Sequence, residues 1–242
     1  MPNALVTGAS RGIGRAIALQ LASEGHDIAV HYSAHGDAAE EVAAQARGEG
    51  GRAVAIEADL AEPANADGLV DRAEAELGAI SILVANAGIV SDPTGVAGIT
   101  DEAWDRMLAV NLTSPFRIAR RLAPAMAEAG FGRIVMISSI AAVTGGLVGA
   151  HYAASKSGLN GLARSLAKET AGHGVTVNVV APALIETDMI PDTPGVREAL
   201  AQNTPVGRLG RSEEVADIVA AVIRNGYMTG QSVLLDGGRH YT

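Results

Sequence analysis

Short apolar runs alternate along the chain with longer segments in which apolar residues recur every three or four positions. The short runs predict seven β-strands, at Ala4–Thr7, Asp27–Tyr32, Ala53–Glu57, Ile82–Ala85, Arg133–Ser138, Val175–Val180 and Ser232–Leu235. The longer segments predict helices, among them Ile13–Glu24, Ala38–Arg47, Ala64–Leu77, Glu102–Ala129 and Tyr152–Ala171. Strands rich in Val, Ile and Ala are typical of sheets that are buried on both faces, and such sheets are mainly parallel.

The alternation of strands and helices at this spacing is typical of right-handed βαβ crossovers. It predicts an α/β fold of the Rossmann type, a doubly wound parallel sheet of about seven strands with helices on both faces. No Pro- or Ser-rich linker, charge block or internal repeat divides the chain, so we predict one domain over residues 1–242. The irregular stretch Pro182–Gly210, with four prolines and three glycines, is the candidate substrate flap.

Composition narrows the possible functions. Hydrophobic residues make up 48% of the 242 positions and charged residues 19%, which excludes a disordered chain. The formal net charge of −9 disfavours binding to a phosphate backbone, so we expect no nucleic-acid partner. No apolar run approaches the ~18 residues of a membrane-spanning helix, and no signal peptide is readable at the start. The expectation is a soluble, cytoplasmic protein without a membrane partner.

Metal and thiol chemistry find little support in the sequence. The chain has no cysteine, which excludes disulfides, thiolate catalysis and Cys-ligated zinc. Of the six histidines only His31 and His35 have a ligand-like spacing, and no zinc motif surrounds them. We therefore expect surface or packing histidines and no bound metal.

The strongest local signal is a glycine-rich turn after the first predicted strand, Thr7-Gly-Ala-Ser-Arg-Gly-Ile-Gly14. Glycines at 8, 12 and 14 would let the backbone turn sharply and approach a pyrophosphate closely. The helix that follows would direct its free N–H groups and positive dipole end at that anion. An isolated triplet can also be a tight turn without a ligand, but its place on the first strand of an alternating chain favours dinucleotide binding.

The end of the second predicted strand indicates which dinucleotide is bound. An NAD site needs an acidic residue there to accept hydrogen bonds from the ribose 2′-OH, and that residue would repel a 2′-phosphate. The chain has Tyr32 and Ser33 instead, with Arg11 available from the glycine loop. An arginine near a missing carboxylate suits a phosphate dianion, so NADP(H) is the expected cofactor. The alternative is a solvated Arg11 beside an adenosine pocket that is indifferent to the phosphate.

Ser139, Tyr152 and Lys156 form a candidate catalytic set. Tyr152 and Lys156 are four residues apart on a predicted helix, so both side chains project from one face. An adjacent ammonium favours the phenolate, so we expect the pKa of Tyr152 to lie below the ordinary value of about 10. The phenol could then donate a proton to a carbonyl oxygen, or accept one from an alcohol, near neutral pH. Ser139 follows a strand at the carboxyl edge of the sheet, where its hydroxyl could hold the same oxygen. The structural alternatives are a turn serine, an aromatic residue at a helix start and a solvated lysine.

Further short motifs follow the glycine loop along the chain. They are Asp59-Leu60, Asn86-Ala-Gly88, Asn111, the Pro182 loop through Ile185-Glu-Thr-Asp-Met189, Met228-Thr-Gly-Gln231 and Asp236-Gly-Gly238. Together with the glycine loop and the Ser139, Tyr152 and Lys156 set, they make the chain similar to short-chain dehydrogenase/reductases over essentially its whole length. Within that family it most resembles 3-oxoacyl-[acyl-carrier-protein] reductases, on the segments VNVVAPALIETDM, TPVGRLGRSEEVA and MTGQSVLLDGG.

The resemblance implies four catalytic residues, Asn111, Ser139, Tyr152 and Lys156. Lys156 would bind the nicotinamide ribose as well as tune Tyr152. Asn111 would break its helix locally and hold a water that links Lys156 to bulk solvent.

The resemblance also implies how the cofactor is held. Asp59 would meet the adenine amino group, and Asn86-Ala87-Gly88 would support the adenosine half. Ile185 and Thr187 would contact the nicotinamide carboxamide. The expected cofactor residues are Gly8, Ser10, Arg11, Gly12, Ile13, Gly14, Ser33, Asp59, Leu60, Asn86, Ala87, Gly88, Tyr152, Lys156, Pro182, Ile185 and Thr187.

The activity implied by the resemblance is NADPH-dependent reduction of a ketone, with a 3-oxoacyl thioester as the leading substrate class and Tyr152 as the general acid. A secondary alcohol or polyol dehydrogenase of the same family is the alternative, and a non-catalytic nucleotide sensor is the alternative from another class. The family also implies a homotetramer and an acyl-carrier-protein partner. At two positions where such reductases tend to carry basic docking residues this chain has Gly130 and His173. The carrier protein, coenzyme A and a free ketone therefore remain open.

Overall fold

The computed structural model describes residues 2–62, 64–187, 190 and 195–240. Part of the predicted flap, residues 188–189 and 191–194, lies outside the described residues. The last two residues of the Ile185–Met189 motif are among them. Within the described residues, no helix is long and apolar enough to cross a membrane.

All seven predicted strands are confirmed, with ends that differ by at most two residues. They are β1 (Asn3–Val6), β2 (Asp27–Tyr32), β3 (Ala53–Glu57), β4 (Ile80–Ala85), β5 (Gly132–Ile137), β6 (Val175–Pro182) and β7 (Ser232–Leu235). The α-helices are α1 (Gly12–Ser23), α2 (Gly36–Gly48), α3 (Ala64–Leu77), α4 (Asp101–Leu108), α5 (Ser114–Glu128), α6 (Ala141–Thr144), α7 (Ala150–Thr170), α8 (Val196–Gln202) and α9 (Ser212–Arg224).

The strands form one sheet in the order β3-β2-β1-β4-β5-β6-β7, and every neighbouring pair is parallel. The chain therefore winds outward from β1 to β3, then crosses to the other side of β1 and winds outward again. The connections after β1 and β4 leave the sheet in opposite directions, which opens a crevice at the carboxyl ends of these two strands. This is the predicted doubly wound Rossmann-type fold.

Successive residues of the central strands supply two separate cores, one on each face of the sheet. In β1, Ala4 and Val6 pack with α1, α2 and α9, while Leu5 packs on the opposite face with α3, α5 and α7. In β4, Ile82 and Val84 belong to the first core, and Leu83 to the second. Because both faces are apolar, these strands read as continuous hydrophobic runs, as expected of a buried parallel sheet.

The predicted helix over Glu102–Ala129 is wrong as one continuous helix. A π-helical turn, Ala109–Thr113, separates α4 from α5, and Asn111 lies at its centre. The amphipathic period continues across this turn, so periodicity alone does not reveal it. The interruption itself agrees with the role that the family resemblance implies for Asn111.

The backbone of the glycine loop folds tightly onto the start of α1. A Cβ added to Gly14 would lie 2.2 Å from the Gly8 carbonyl oxygen. Real side chains do not approach backbone atoms this closely, so the loop or the helix would have to move.

We expect Gly14→Ala to lower the free energy of unfolding by roughly 1–3 kcal/mol or more, as overpacking against rigid backbone does. Gly68→Ala is the matched control, because Gly68 is also helical and a Cβ there meets nothing within 4 Å. That control should raise stability by about 0.5–1 kcal/mol, through helix propensity alone. Urea unfolding of both variants measures the difference, and equal stabilities would contradict the packing argument.

Candidate active site

A cavity of about 730 Å³ opens at the carboxyl edge of the sheet, around the ends of β1 and β4. Its size lies within the range of roughly 300–1,000 Å³ typical of small-molecule and cofactor sites. Every predicted site residue except Asn111 lines this cavity. The sheet edge thus brings together residues that are spread over most of the sequence.

Two glycines give the loop between β1 and α1 its shape. Gly8 and Gly12 have φ angles of +62° and +54°, in the left-handed region that favours glycine. Arg11 is the N-cap residue of α1, and its backbone is extended. The first N–H groups of a helix have no partner inside it, so the start of α1 offers an anion site where it borders the cavity.

Thr7 and Asn86 fix the glycine loop to the end of β4. The Thr7 hydroxyl oxygen accepts hydrogen bonds from the backbone N–H groups of Asn86 and Ala87, both at 2.9 Å. The Asn86 side-chain amide donates to the carbonyl oxygens of Thr7 and Gly8, at 2.9 and 3.1 Å. Asn86 therefore stabilises the glycine loop through its backbone, by contacts that its sequence position alone does not show.

The end of the cavity where the sequence predicts the adenosine half of the cofactor is open to solvent. Arg11, Ser33 and Asp59 are exposed and line it, and Leu60 forms a buried apolar wall. One carboxylate oxygen of Asp59 accepts the Ala61 N–H at 2.9 Å, which orients this side chain at the end of β3.

The start of α1 lies close to the Ile185–Thr187 segment. A Cβ on Gly12 would be 3.4 Å from the Thr187 methyl group, which is an ordinary van der Waals distance. Ile185 is held in place by a bridge to Gly210. The glycine cradle, the helix N-terminus and the two-ended cavity fit a nicotinamide dinucleotide.

Ser139, Tyr152 and Lys156 meet at the centre of the cavity. Ser139 follows β5, and its hydroxyl oxygen accepts the Ala141 N–H at 3.2 Å, which leaves the hydroxyl hydrogen free to donate. The Lys156 Nζ lies 5.9 Å from the Tyr152 ring centroid and donates to the Ile137 carbonyl oxygen at 2.9 Å. The Ser138 hydroxyl donates to the Lys156 carbonyl oxygen at 2.8 Å and so ties α7 to the end of β5.

The expected lowering of the Tyr152 pKa is wrong for this structure. Burial raises the pKa of the Tyr152 phenol above its ordinary value, and a hydrogen bond with the Ser139 hydroxyl offsets part of the rise. The lysine ammonium is directed at the Ile137 carbonyl oxygen and not at the phenol oxygen, so its charge does not outweigh the burial. The phenol is therefore protonated at neutral pH and can act as a proton donor.

Lys156 is buried, with 5% of its surface exposed. Burial disfavours the charged amine and lowers the pKa of Lys156 to about 8. The protonated and the neutral form of Lys156 are thus both populated within about one pH unit of this value.

Asn111 lies behind the cavity wall and is fully buried. Its Oδ1 accepts the Ile89 N–H at 2.8 Å, and its Nδ2 donates to the Ile89 carbonyl oxygen at 3.0 Å. A Cβ on Gly88 would lie 3.2 Å from the Lys156 Nζ and 3.4 Å from the Asn111 Oδ1. The π turn therefore brings Asn111 to the side of Gly88 where Lys156 also lies.

Comparison with known proteins agrees with this geometry. The family model described as short chain dehydrogenase matches residues 2–195. The chain belongs to the short-chain dehydrogenase/reductase family. The 3-oxoacyl-[acyl-carrier-protein] reductase FabG of Escherichia coli K12 is 39% identical over 242 residues, which span 98% of this chain and 96% of that protein. The enzyme of the same name from Staphylococcus aureus Mu50 is 36% identical over 98% of each chain.

A solved structure supports the same assignment. A mutant form of a short-chain dehydrogenase/reductase from Serratia marcescens is 40% identical to this chain and superimposes with a TM-score of 0.91. The match covers 98% of this chain and 97% of that one. As a member of this family the protein is an oxidoreductase, and its sequence is most like the 3-oxoacyl-[acyl-carrier-protein] reductases.

The structure adds three residues that the sequence analysis did not assign to the site. They support the site of this short-chain dehydrogenase/reductase without lying at its reacting centre. Thr7 holds the end of β4, Ser138 holds α7, and His31 contacts the glycine loop. Of the three, Thr7 could most easily have been found from the sequence, because it stands inside the glycine motif.

Among the described residues, no group of three His, Asp or Glu side chains could hold a metal ion.

The low pKa of Lys156 can be measured directly, because the chain has only two lysines, Lys156 and Lys168. We expect NMR of protein labelled with ε-¹³C-lysine to give one signal that titrates near pH 8, as burial of the amine requires. Lys168→Arg removes the other signal and so assigns the pair. A Lys156 signal that titrates at the ordinary lysine value of about 10.4 would show that the amine is hydrated.

Proposed function

We propose that this protein is an NADPH-dependent ketoreductase that transfers a hydride to the keto carbon of a 3-oxoacyl thioester. The observation that carries the proposal is the position of Tyr152, which is partly buried beside Ser139 and Lys156 in the same cavity as the glycine loop. A group that must give up a proton during reduction is useful only if it holds that proton at the working pH.

When bound, the cofactor supplies the hydride from its nicotinamide ring. Tyr152 donates its phenolic proton to the carbonyl oxygen as negative charge develops there. Ser139, whose hydroxyl oxygen accepts the Ala141 N–H, would turn its hydroxyl hydrogen from the Tyr152 phenol to the same carbonyl oxygen. Orientation of the ketone and stabilisation of the developing charge supply most of the rate.

Lys156 and Asn111 would help to replace the proton that Tyr152 donates. Burial lowers the pKa of Lys156 to about 8, which would allow its ammonium to pass a proton on near neutral pH. Asn111 lies on the same side of Gly88 as Lys156 and would hold the water through which bulk solvent resupplies that proton.

NADPH is proposed over NADH on the residues at the adenosine end. No acidic residue stands at the end of β2, where Ser33 lines the cavity, and the Arg11 guanidinium supplies positive charge from the glycine loop. This combination accepts a 2′-phosphate and gives no special partner to a free 2′-OH.

The substrate class rests on the relatives' names and on the charge of the cavity. Arg106 and Arg239 line it, and Asp59 at the adenosine end is the one carboxylate among the described lining residues. Arg239 also donates to the Thr204 hydroxyl at 3.2 Å, which positions its guanidinium. An acyl thioester carries phosphate on its coenzyme A or carrier-protein arm, and these arginines would attract it.

The carrier itself remains either coenzyme A or an acyl carrier protein. At the predicted docking position Gly130 follows the end of α5 with a φ of +70°, where glycine is the favoured residue. Its neighbourhood therefore supplies a helix cap in place of a basic side chain. We propose that the cavity arginines contribute more to thioester binding than this outer surface does.

We further propose a homotetramer. Trp104 and Phe116 are 37% and 41% exposed on α4 and α5. On α7 a Cβ at Gly161 would meet nothing within 4 Å, so a helix from another subunit could approach closely. Apolar residues of the edge strand β7 are also partly exposed.

The function is tested by the initial rate of NADPH oxidation with acetoacetyl-CoA, with NADH measured alongside. We expect a robust rate with NADPH and at least a tenfold lower kcat/KM with NADH.

Tyr152→Phe should abolish turnover while the Kd for NADPH stays within about twofold, because the variant loses only the proton donor. Substantial activity in Tyr152→Phe would overturn the mechanism, and the absence of a rate with either cofactor would overturn the thioester assignment.

The charge argument predicts that Arg106→Ala and Arg239→Ala each raise KM for acetoacetyl-CoA by roughly fivefold at low salt, as expected for exposed charge pairs worth about 1 kcal/mol. KM for ethyl acetoacetate, a neutral ketone, should not change. Arg164→Ala is the matched control, since Arg164 is exposed on α7 and is not among the described residues that line the cavity. Equal effects on both substrates would show that the arginines act on cavity shape and not on substrate charge.

A further inference from the structure

His31, near the end of β2, is a buried polar residue that the mechanism does not use. Its side chain is 2% exposed and lies between the glycine loop and the loop that follows β3. The Nδ1 accepts the Gly8 N–H at 2.9 Å, and the Nε2 lies 3.0 Å from the Ala58 carbonyl oxygen. The ring therefore spans the gap between two segments that are not neighbours in sequence.

These two contacts define the chemical state of the ring. A backbone N–H can only donate and a carbonyl oxygen can only accept, so Nδ1 must be bare and Nε2 must carry the proton. Burial disfavours the imidazolium and lowers the pKa of His31 to about 4, although its hydrogen bond to Ala58 opposes this shift. The neutral ring is the form present at neutral pH, and it satisfies both backbone groups.

The segments that His31 joins belong to the two ends of one binding surface. Gly8 starts the loop predicted to hold the pyrophosphate, and Ala58 directly precedes Asp59, which lines the adenosine end. The backbone of β2 contacts the same segments, through the Ala9 N–H to the His31 carbonyl oxygen at 2.8 Å and the Ala58 N–H to the Tyr32 carbonyl oxygen at 2.9 Å. The His31 side chain adds a contact to the Gly8 N–H, whereas the Asn86 amide holds the Gly8 carbonyl oxygen from the end of β4.

We propose that His31 is a positioning residue for the dinucleotide, which sets the orientation of the Gly8 peptide relative to the Asp59 loop. The inference rests on the proposed cofactor site and adds a residue to it. It concerns the affinity for the pyrophosphate and adenosine portion that NAD(H) and NADP(H) share, and not the reduction step.

The two ring nitrogens can be tested separately by substitution. The amide oxygen of asparagine reaches the position of Nδ1, so His31→Asn keeps the acceptor for Gly8. The amide of glutamine reaches the position of Nε2, so His31→Gln keeps the Ala58 contact and leaves the Gly8 N–H without its acceptor. His31→Leu removes both contacts and retains an apolar side chain in the core.

Calorimetric titration of the full-length protein with NADP⁺ and with NAD⁺ gives the result. We expect the Kd of His31→Asn to stay within about threefold of the wild-type value, while His31→Gln and His31→Leu raise it at least tenfold for both dinucleotides. His26→Leu is the matched control at the opposite end of β2, and its Kd should not change. Thermal unfolding of each variant accompanies the titrations, and if His31→Leu does not fold, the comparison of Asn with Gln carries the test.

The outcomes separate this inference from the proposed function. Equal affinities in His31→Asn and His31→Gln, or wild-type affinity in His31→Leu, would make His31 an ordinary core residue. A wild-type protein that binds dinucleotides but reduces no ketone would overturn the proposed activity and leave the His31 inference intact. A wild-type protein that binds neither dinucleotide would overturn both.

Discussion

The parallel pairing of β1 with β4 is the constraint on which the site depends. These strands are neighbours in the sheet but not in sequence, and the connections that follow them run to opposite sides. A crevice must open where the chain diverges, and the backbone groups at its edge need partners. Thr7 and Asn86 supply those partners across the gap, so the same contacts that satisfy the sheet edge also shape the cofactor loop.

Burial determines the chemistry at the centre of the cavity. The apolar surroundings that hold α7 against β5 raise the pKa of Tyr152 and lower that of Lys156. Both shifts favour the neutral form of the side chain, so the phenol keeps its proton while the ammonium gives up its own more readily than in water. Such an arrangement suits a residue that must donate a proton and be resupplied in each turnover.

Neutral hydrogen-bonding groups, and not charges, hold the loops around this centre. Thr7, Asn86 and His31 all bind the backbone of the glycine loop or of the residues beside it. The charged residues Arg11 and Asp59 instead lie at the open adenosine end of the cavity, where solvent and ligand can both reach them.

The sequence by itself determined the seven strands, the glycine loop and the shared face of Tyr152 and Lys156. These features depend on local periodicity, on the conformational freedom of glycine and on helical spacing. The tertiary structure decided the direction of the Tyr152 pKa shift, the π turn at Asn111 and the backbone contacts of Thr7 and His31. Each of these depends on which distant backbone groups come within hydrogen-bond reach and how much water is excluded, and neither quantity is encoded within one short segment.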